Sequence, residues 1–267
     1  MRLIRFSVPG DERVRRGVLD AHGRVRPVEG TERPARDVGG LADVVLHAPV
    51  EPGLVVGVGR NYAAHAEELG NPVPEAPLIF LKAASSVQRP DGEIVAPSLS
   101  RRVQHEAELA VVIGREARHV CAADADAYIR GYTLANDVTA RDLQFGDLGI
   151  GLAKGFDTFC PVGPWIETEL DLDETTVTAE VDGVVRQHGA VADMLFPVPY
   201  LLEFVTKHLT LRPGDLILTG TPPGVGDLVP GDVVTVTAPG LGALRNPVVA
   251  EQPLRGGSRP VVADAGG

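Results

Sequence analysis

The chain has 267 residues, 44% hydrophobic and 23% charged, a balance typical of a soluble globular protein with a sizeable core. Its formal charge of -11 argues against nucleic acid or an anionic membrane as a partner, since both call for a basic face. The 31 glycines and 22 prolines favour many turns and short strands, so we expect a mixed α+β, β-rich chain with few helices. Met1–Arg5 leads into no apolar signal core, and no apolar run reaches membrane-spanning length. Cys121 and Cys160 form no metal or redox motif and are too few for a disulfide framework, so the expected location is the cytoplasm.

Residues 1–50 carry nine arginines against seven acids, a balance of +2 that leaves -13 for the rest. Turn signals at Pro9-Gly10 and His22-Gly23 divide them into short strands, read as a small N-terminal β module. Residues 51–254 read as the catalytic domain, and 255–267, without apolar periodicity, as a flexible tail. Within the body, Leu54–Val58, Leu78–Leu81, Ala107–Ile113, Thr176–Val185, Leu216–Thr219 and Val233–Thr237 have strand composition. A helix is expected over Tyr62–Leu69, capped by Asn61 and stopped by Gly70. A second, over Tyr200–His208, places Tyr200, Leu201, Phe204, Val205 and His208 on one face.

Four clusters bear chemistry. In His105-Glu106-Ala107-Glu108, strand alternation sends Ala107, Leu109, Val111 and Ile113 to a core and turns Glu106 and Glu108 together to the other side. Adjacent carboxylates repel unless a cation lies between them, and a hard ion such as Mg²⁺, Mn²⁺ or Ca²⁺ suits oxygen ligands. Taken alone, Glu-x-Glu more often marks a solvated edge strand. Asn136-Asp137 follows the strand-like Tyr132–Ala135, so Asp137 can close an ion site as a third carboxylate. If the chain then turns helical, Arg141 and Gln144 lie one turn apart, suited to a substrate carboxylate and oxo group. His65 and Glu68, three apart on the first helix, can form a carboxylate-polarised imidazole that acts as a base toward water. Lys154, among glycines and aromatics, would meet an anionic substrate or enolate. A dinucleotide loop, a phosphate loop, a nucleophile elbow and a zinc-peptidase motif are all absent from the sequence.

Gly59-Arg60-Asn61-Tyr62 with His65 and Glu68, Phe80-Leu81-Lys82, Glu106 to Gly114, Gly131-Tyr132-Thr133, Asn136 to Asp142, Lys154 to Phe159, and Leu218 to Pro222 together resemble the fumarylacetoacetate hydrolase family, in family order over roughly 51–250. The resemblance implies a mixed β-sandwich roll, usually a homodimer, holding one Mg²⁺ or Mn²⁺, with Ca²⁺ an alternative occupant in a crystal. By position it makes Glu106, Glu108 and Asp137 the metal carboxylates and His65 with Glu68 the water-activating pair. It places Arg141, Gln144, Lys154 and Thr221 against substrate, with Lys82 lining the pocket. The activity implied is carbon–carbon hydrolysis of a small anionic 2-oxo, acylpyruvate-type acid through a metal-stabilised enolate. Oxaloacetate-type decarboxylation, 2-hydroxy-dienoate isomerisation in aromatic catabolism and non-catalytic metabolite binding are the alternatives. Two departures stand out: Gly149-Ile150-Gly151-Leu152 where many relatives carry Gln-Trp-Thr-Arg, and Ala83 in place of a frequent Pro.

Overall fold

A computed structural model describes residues 1–29, 33–34 and 38–253. The expected tail therefore lies outside the described residues. Strands dominate, in a thirteen-stranded mixed sheet, a five-stranded sheet and a two-stranded ribbon. At the centre of the large sheet, Ala107–Ile113 runs antiparallel to both Ile129–Asn136 and Leu216–Leu218. Leu216–Leu218 pairs in parallel with Val55–Gly59, and Leu78–Lys82 follows on the outside. On the other side Cys160–Glu167 leads to Arg2–Val8 through the pairs Arg2–Glu167 and Leu3–Ile166. The N-terminal strands thus extend the same sheet.

Alternation along Ala107–Ile113 puts Ala107, Leu109, Val111 and Ile113 on one face, as expected. There they pack against Val177, Ala179, Val236 and Leu244 of the five-stranded sheet and Leu201, Leu202 and Val205 of a helix. The opposite face is not solvated beyond the carboxylates. Ala110 and Val112 join Val55, Ala135, Val162, Leu216 and Leu218 in a second apolar layer, so the strand is buried on both faces.

Both expected helices form, with shifted details. The first spans Ala63–Glu68, and Gly70 at φ 66° ends it by donating its N–H to Glu67 O. Asn61 does not cap it. Its amide donates to the Phe196 and Thr219 carbonyls at 3.0 and 2.8 Å and accepts the Phe196 N–H at 2.8 Å, long-range partners that outcompete the local helix end. The second helix spans Val198–His208 and starts on Pro197 with Pro199 in its first turn. Leu201 and Val205 face the core, whereas Tyr200, Phe204 and His208 line up with Phe196 as an outer row of ring contacts. The predicted strand Thr176–Val185 is two strands, Thr176–Val181 and Val184–Ala190, joined through Asp182 (φ 52°) and Gly183 (φ 77°). An Asp-Gly pair at positive φ is the preferred two-residue hairpin turn. After Asp137 the chain forms a single 3₁₀ turn, Arg141–Leu143, rather than an α-helix. Among the described residues no helix is long and apolar enough to cross a membrane.

Candidate metal centre

The register of one antiparallel pair builds the site. Ala107 lies opposite Asn136 and Glu108 opposite Ala135, so Glu106 falls opposite Asp137 just beyond the ladder. Side chains at 106, 108 and 137 then share a face. Local bonds hold this end: the Glu106 N–H donates to Asn136 Oδ1 at 2.9 Å, and the Asp137 N–H to Glu106 O at 2.8 Å. All three carboxylates are buried, and an oxygen from each lies within 4.8 Å of the others. This is the only such grouping among the described residues.

Three cations surround them, and each makes three hydrogen bonds. Lys154 Nζ donates to Glu106 at 2.8 Å, Asp137 at 2.5 Å and Thr139 Oγ1 at 2.7 Å, and lies over the Phe80 ring at 5.0 Å from its centroid. Lys82 Nζ donates to Asp137 Oδ1 at 2.6 Å, to Phe159 O at 3.1 Å and to Lys154 O. Lys82, expected to line the pocket, thus pairs with Asp137 with its side chain fully buried. Arg141 donates to Glu106, to Gln104 Oε1 at 2.8 Å and to Gln144 Oε1 at 2.7 Å. The expected contact between Arg141 and Gln144 forms despite the missing helix, because a 3₁₀ turn also brings residues three apart together.

The carboxylates differ electrically. Burial raises the pKa of Glu106, but Lys154 foremost, then Arg141 and His65, pull it well below the usual carboxylate range. Glu108 is pulled down less. Burial, then the charges of Asp137 and Glu106, push its pKa well up, and the Lys154 charge and the Gly220 N–H at 2.7 Å offset only part of this. Lys154 is desolvated, yet Asp137 and Glu106 raise its pKa and keep it charged. Burial lifts the Cys160 thiol to about 12, making it an inert part of the apolar layer.

His65 is buried, with Nδ1 3.3 Å from Glu68 Oε2, and is near enough to Glu106 to act on its pKa. Glu68 also accepts the Gly224 N–H at 3.0 and 3.1 Å. An ionised carboxylate can only accept, so this pair sets Nδ1 as the protonated nitrogen and leaves Nε2 as the basic one. Glu67 is exposed. Thr221, 3% exposed, donates its hydroxyl to Ala107 O at 2.9 Å. The departing segment forms the short helix Gly149–Ala153, with Ile150 and Leu152 exposed just ahead of Lys154.

Sequence reading missed several residues that shape this site. Gln104 braces Arg141, Thr139 receives Lys154, Gly220 supports Glu108, and Gln187 bonds Thr221 at 2.7 Å. Only the Gly220-Thr221-Pro222 string carried a local signal.

Three buried carboxylates with an unbalanced Glu108 form a donor set that fits a hard divalent cation. The fold and site thus define a strand-rich enzyme with an acidic metal-type centre and an adjacent histidine–glutamate pair. The Fumarylacetoacetate (FAA) hydrolase C-terminal family matches residues 54–249, and the chain belongs to that family. Mitochondrial oxaloacetate tautomerase FAHD1 of Arabidopsis thaliana is 47% identical over 193 residues, 70% of this chain and 86% of the relative. Mitochondrial oxaloacetate decarboxylase of Dictyostelium discoideum is 43% identical over 194 residues, 70% of this chain and 89% of its own length. The crystal structure of 5-carboxymethyl-2-hydroxymuconate delta-isomerase from Mycobacterium smegmatis is 44% identical, with TM-score 0.86 over 95% of this chain and all of that one.

Proposed function

We propose that this enzyme passes a small dianionic 2-oxo acid through an enolate, reached by loss of either a proton or carbon dioxide and quenched by protonation, as a tautomerase, isomerase or decarboxylase. The observation that carries this reading is the convergence of Glu106, Glu108 and Asp137 within 4.8 Å beside the His65–Glu68 pair. Relatives at 43–47% identity named as a tautomerase, a decarboxylase and an isomerase favour proton transfer or decarboxylation over hydrolysis. A bound Mg²⁺ or Mn²⁺, held by Glu106, Glu108 and Asp137, would act as a Lewis acid on the 2-oxo acid and lower the cost of negative charge at its oxygens.

This chain's own groups supply the rest. His65, with Nδ1 turned to Glu68, offers Nε2 to take a proton from the carbon next to the oxo group, or return one. Glu68 stabilises the imidazolium as it forms, and the Gly224 N–H fixes the carboxylate for that task. Lys154 and Arg141 hold Glu106 ionised, and their positive field attracts an acidic substrate despite the overall charge of -11. Hydrolysis is the second reading, favoured by the same pair: an imidazole polarised by a carboxylate can equally take a proton from water.

Purified protein supplied with Mg²⁺ or Mn²⁺ should interconvert the enol and keto forms of oxaloacetate, or decarboxylate it, faster than it cleaves acylpyruvates. Ultraviolet absorbance follows each reaction. Faster acylpyruvate cleavage would select hydrolysis, and rates unaffected by chelator would refute the metal-dependent mechanism altogether.

A further inference from the structure

Gln187 stands on the Val184–Ala190 strand of the five-stranded sheet, fully buried, and its amide spans two parts of the centre. Oε1 accepts the Ala107 N–H at 3.0 Å and lies 2.8 Å from His105 Nδ1. Nε2 donates to Thr221 Oγ1 and to Pro222 O, both at 2.7 Å. The amide orientation is fixed, because Ala107 N can only donate and Pro222 O can only accept. His105 must then carry its proton on Nδ1. Thr221 Oγ1 accepts from Gln187 and gives its own hydrogen to Ala107 O. A ligand that meets this hydroxyl meets a lone pair, not a proton. The same loop supplies the Gly220 N–H that holds Glu108 Oε2.

We propose that Gln187 is a positioning residue for the reaction above: it fixes the Thr221 hydroxyl as an acceptor and ties the loop Gly220–Pro222 to the strand bearing Glu106 and Glu108. The inference rests on the proposed enolate chemistry for its effect on turnover, but its effect on Glu108 stands apart from that chemistry. An acceptor at Thr221 favours a ligand that offers O–H, such as the enol form of a 2-oxo acid, over a bare carbonyl. Partners that orient metal ligands typically contribute about 10–100-fold to affinity or activity.

Gln187→Glu is nearly isosteric, but as a carboxylate it turns an acceptor toward Thr221 and Pro222. Thr221→Val removes the hydroxyl while keeping its shape, and Thr221→Ser keeps the network. Mn²⁺ affinity by calorimetry, oxalate affinity of the Mn²⁺-loaded protein, kcat and KM on oxaloacetate, and the melting temperature are the readouts. Folded Gln187→Glu should weaken Mn²⁺ binding and lower kcat, each about tenfold or more, and the melting temperature should fall as well, since the new carboxylate is buried against two acceptors. Thr221→Val should lose kcat while oxalate, which offers no O–H, binds no more weakly; Thr221→Ser should retain kcat, and the double variant Gln187→Glu/Thr221→Val should be no worse than its poorer parent. Wild-type Mn²⁺ affinity and kcat in folded Gln187→Glu, or losses that add in the double variant, would overturn the proposal. Should Gln187→Glu fail to fold, wild-type kcat in Thr221→Val, or a loss of oxalate affinity there, would overturn it instead. If the wild-type enzyme turns over no 2-oxo acid, the functional reading fails, and an unchanged Mn²⁺ affinity in Gln187→Glu then decides against Gln187 separately.

Discussion

Lys82→Met tests whether Lys82 clamps Asp137. The residue is 3% exposed, and its ammonium satisfies Asp137 Oδ1 and the carbonyls of Lys154 and Phe159. Methionine fills similar volume with no donor. Removing one partner of a buried ion pair costs about 3–5 kcal/mol. Asp137 keeps Lys154 on its other oxygen, which argues for the lower end, about 3 kcal/mol. Phe159 O keeps the Val138 N–H, so the carbonyl that loses its donor is that of Lys154, at about 1 kcal/mol. The expected loss is about 4 kcal/mol, a large fraction of the roughly 5–15 kcal/mol that stabilises a typical domain. Urea unfolding with chelator present measures it. Saturating Mn²⁺ should recover part of the loss, because an ion held by Asp137 replaces the missing positive charge. A metal-free loss below about 1 kcal/mol, the range of an ordinary exposed pair, would refute the clamp.

Other variants separate electrostatic from chemical roles. Glu108→Gln should leave the metal-free melting temperature equal to or above wild type, since it removes a carboxylate crowded by Asp137 and Glu106, while Mn²⁺ affinity falls at least tenfold. A drop of more than about 4 °C, roughly 1 kcal/mol for a chain of this size, would contradict that account. His65→Ala should abolish turnover with Mn²⁺ affinity retained within about threefold, because the imidazole serves the substrate proton; persisting activity removes His65 from the mechanism. For Asp142, burial raises the pKa, but the Ser100 hydroxyl at 2.6 Å and the Arg101 N–H at 2.8 Å depress it overall. Its stabilisation is therefore present above the ordinary carboxylate pKa of about 4 and is lost as pH falls through the depressed folded value. Asp142→Asn should flatten the acid limb of a stability–pH curve, and an unchanged limb would dismiss this contribution.

Parity was the part of the site most open to reading from sequence. Period-two alternation set Glu106 and Glu108 together, away from Leu109, Val111 and Ile113, before any partner strand was known. Alternation could not show that Ala110 and Val112 face a second apolar layer, because an apolar residue looks the same toward either core. Local rules failed where distant groups offered better bonds, as when Asn61 left its helix for Phe196 and Thr219. The strand Cys160–Glu167 was unmarked because Pro161 and Pro164 withhold two ladder donors, yet it pairs with Ile129–Asn136 through a shifted register. Charge shows the limit most plainly. Lys82, Lys154 and Arg141 lie 17 to 55 residues from the carboxylates they meet, and no spacing rule joins them. Three cations against three carboxylates make the buried centre formally neutral, so the chain's -11 resides outside it. A divalent ion would then leave the centre at +2, the complement of a dicarboxylate, and neutrality would return when both are bound. Under the proposed function that balance would favour a dianion over a monoanion of the same shape, a preference that net charge and motif spacing alone do not reveal.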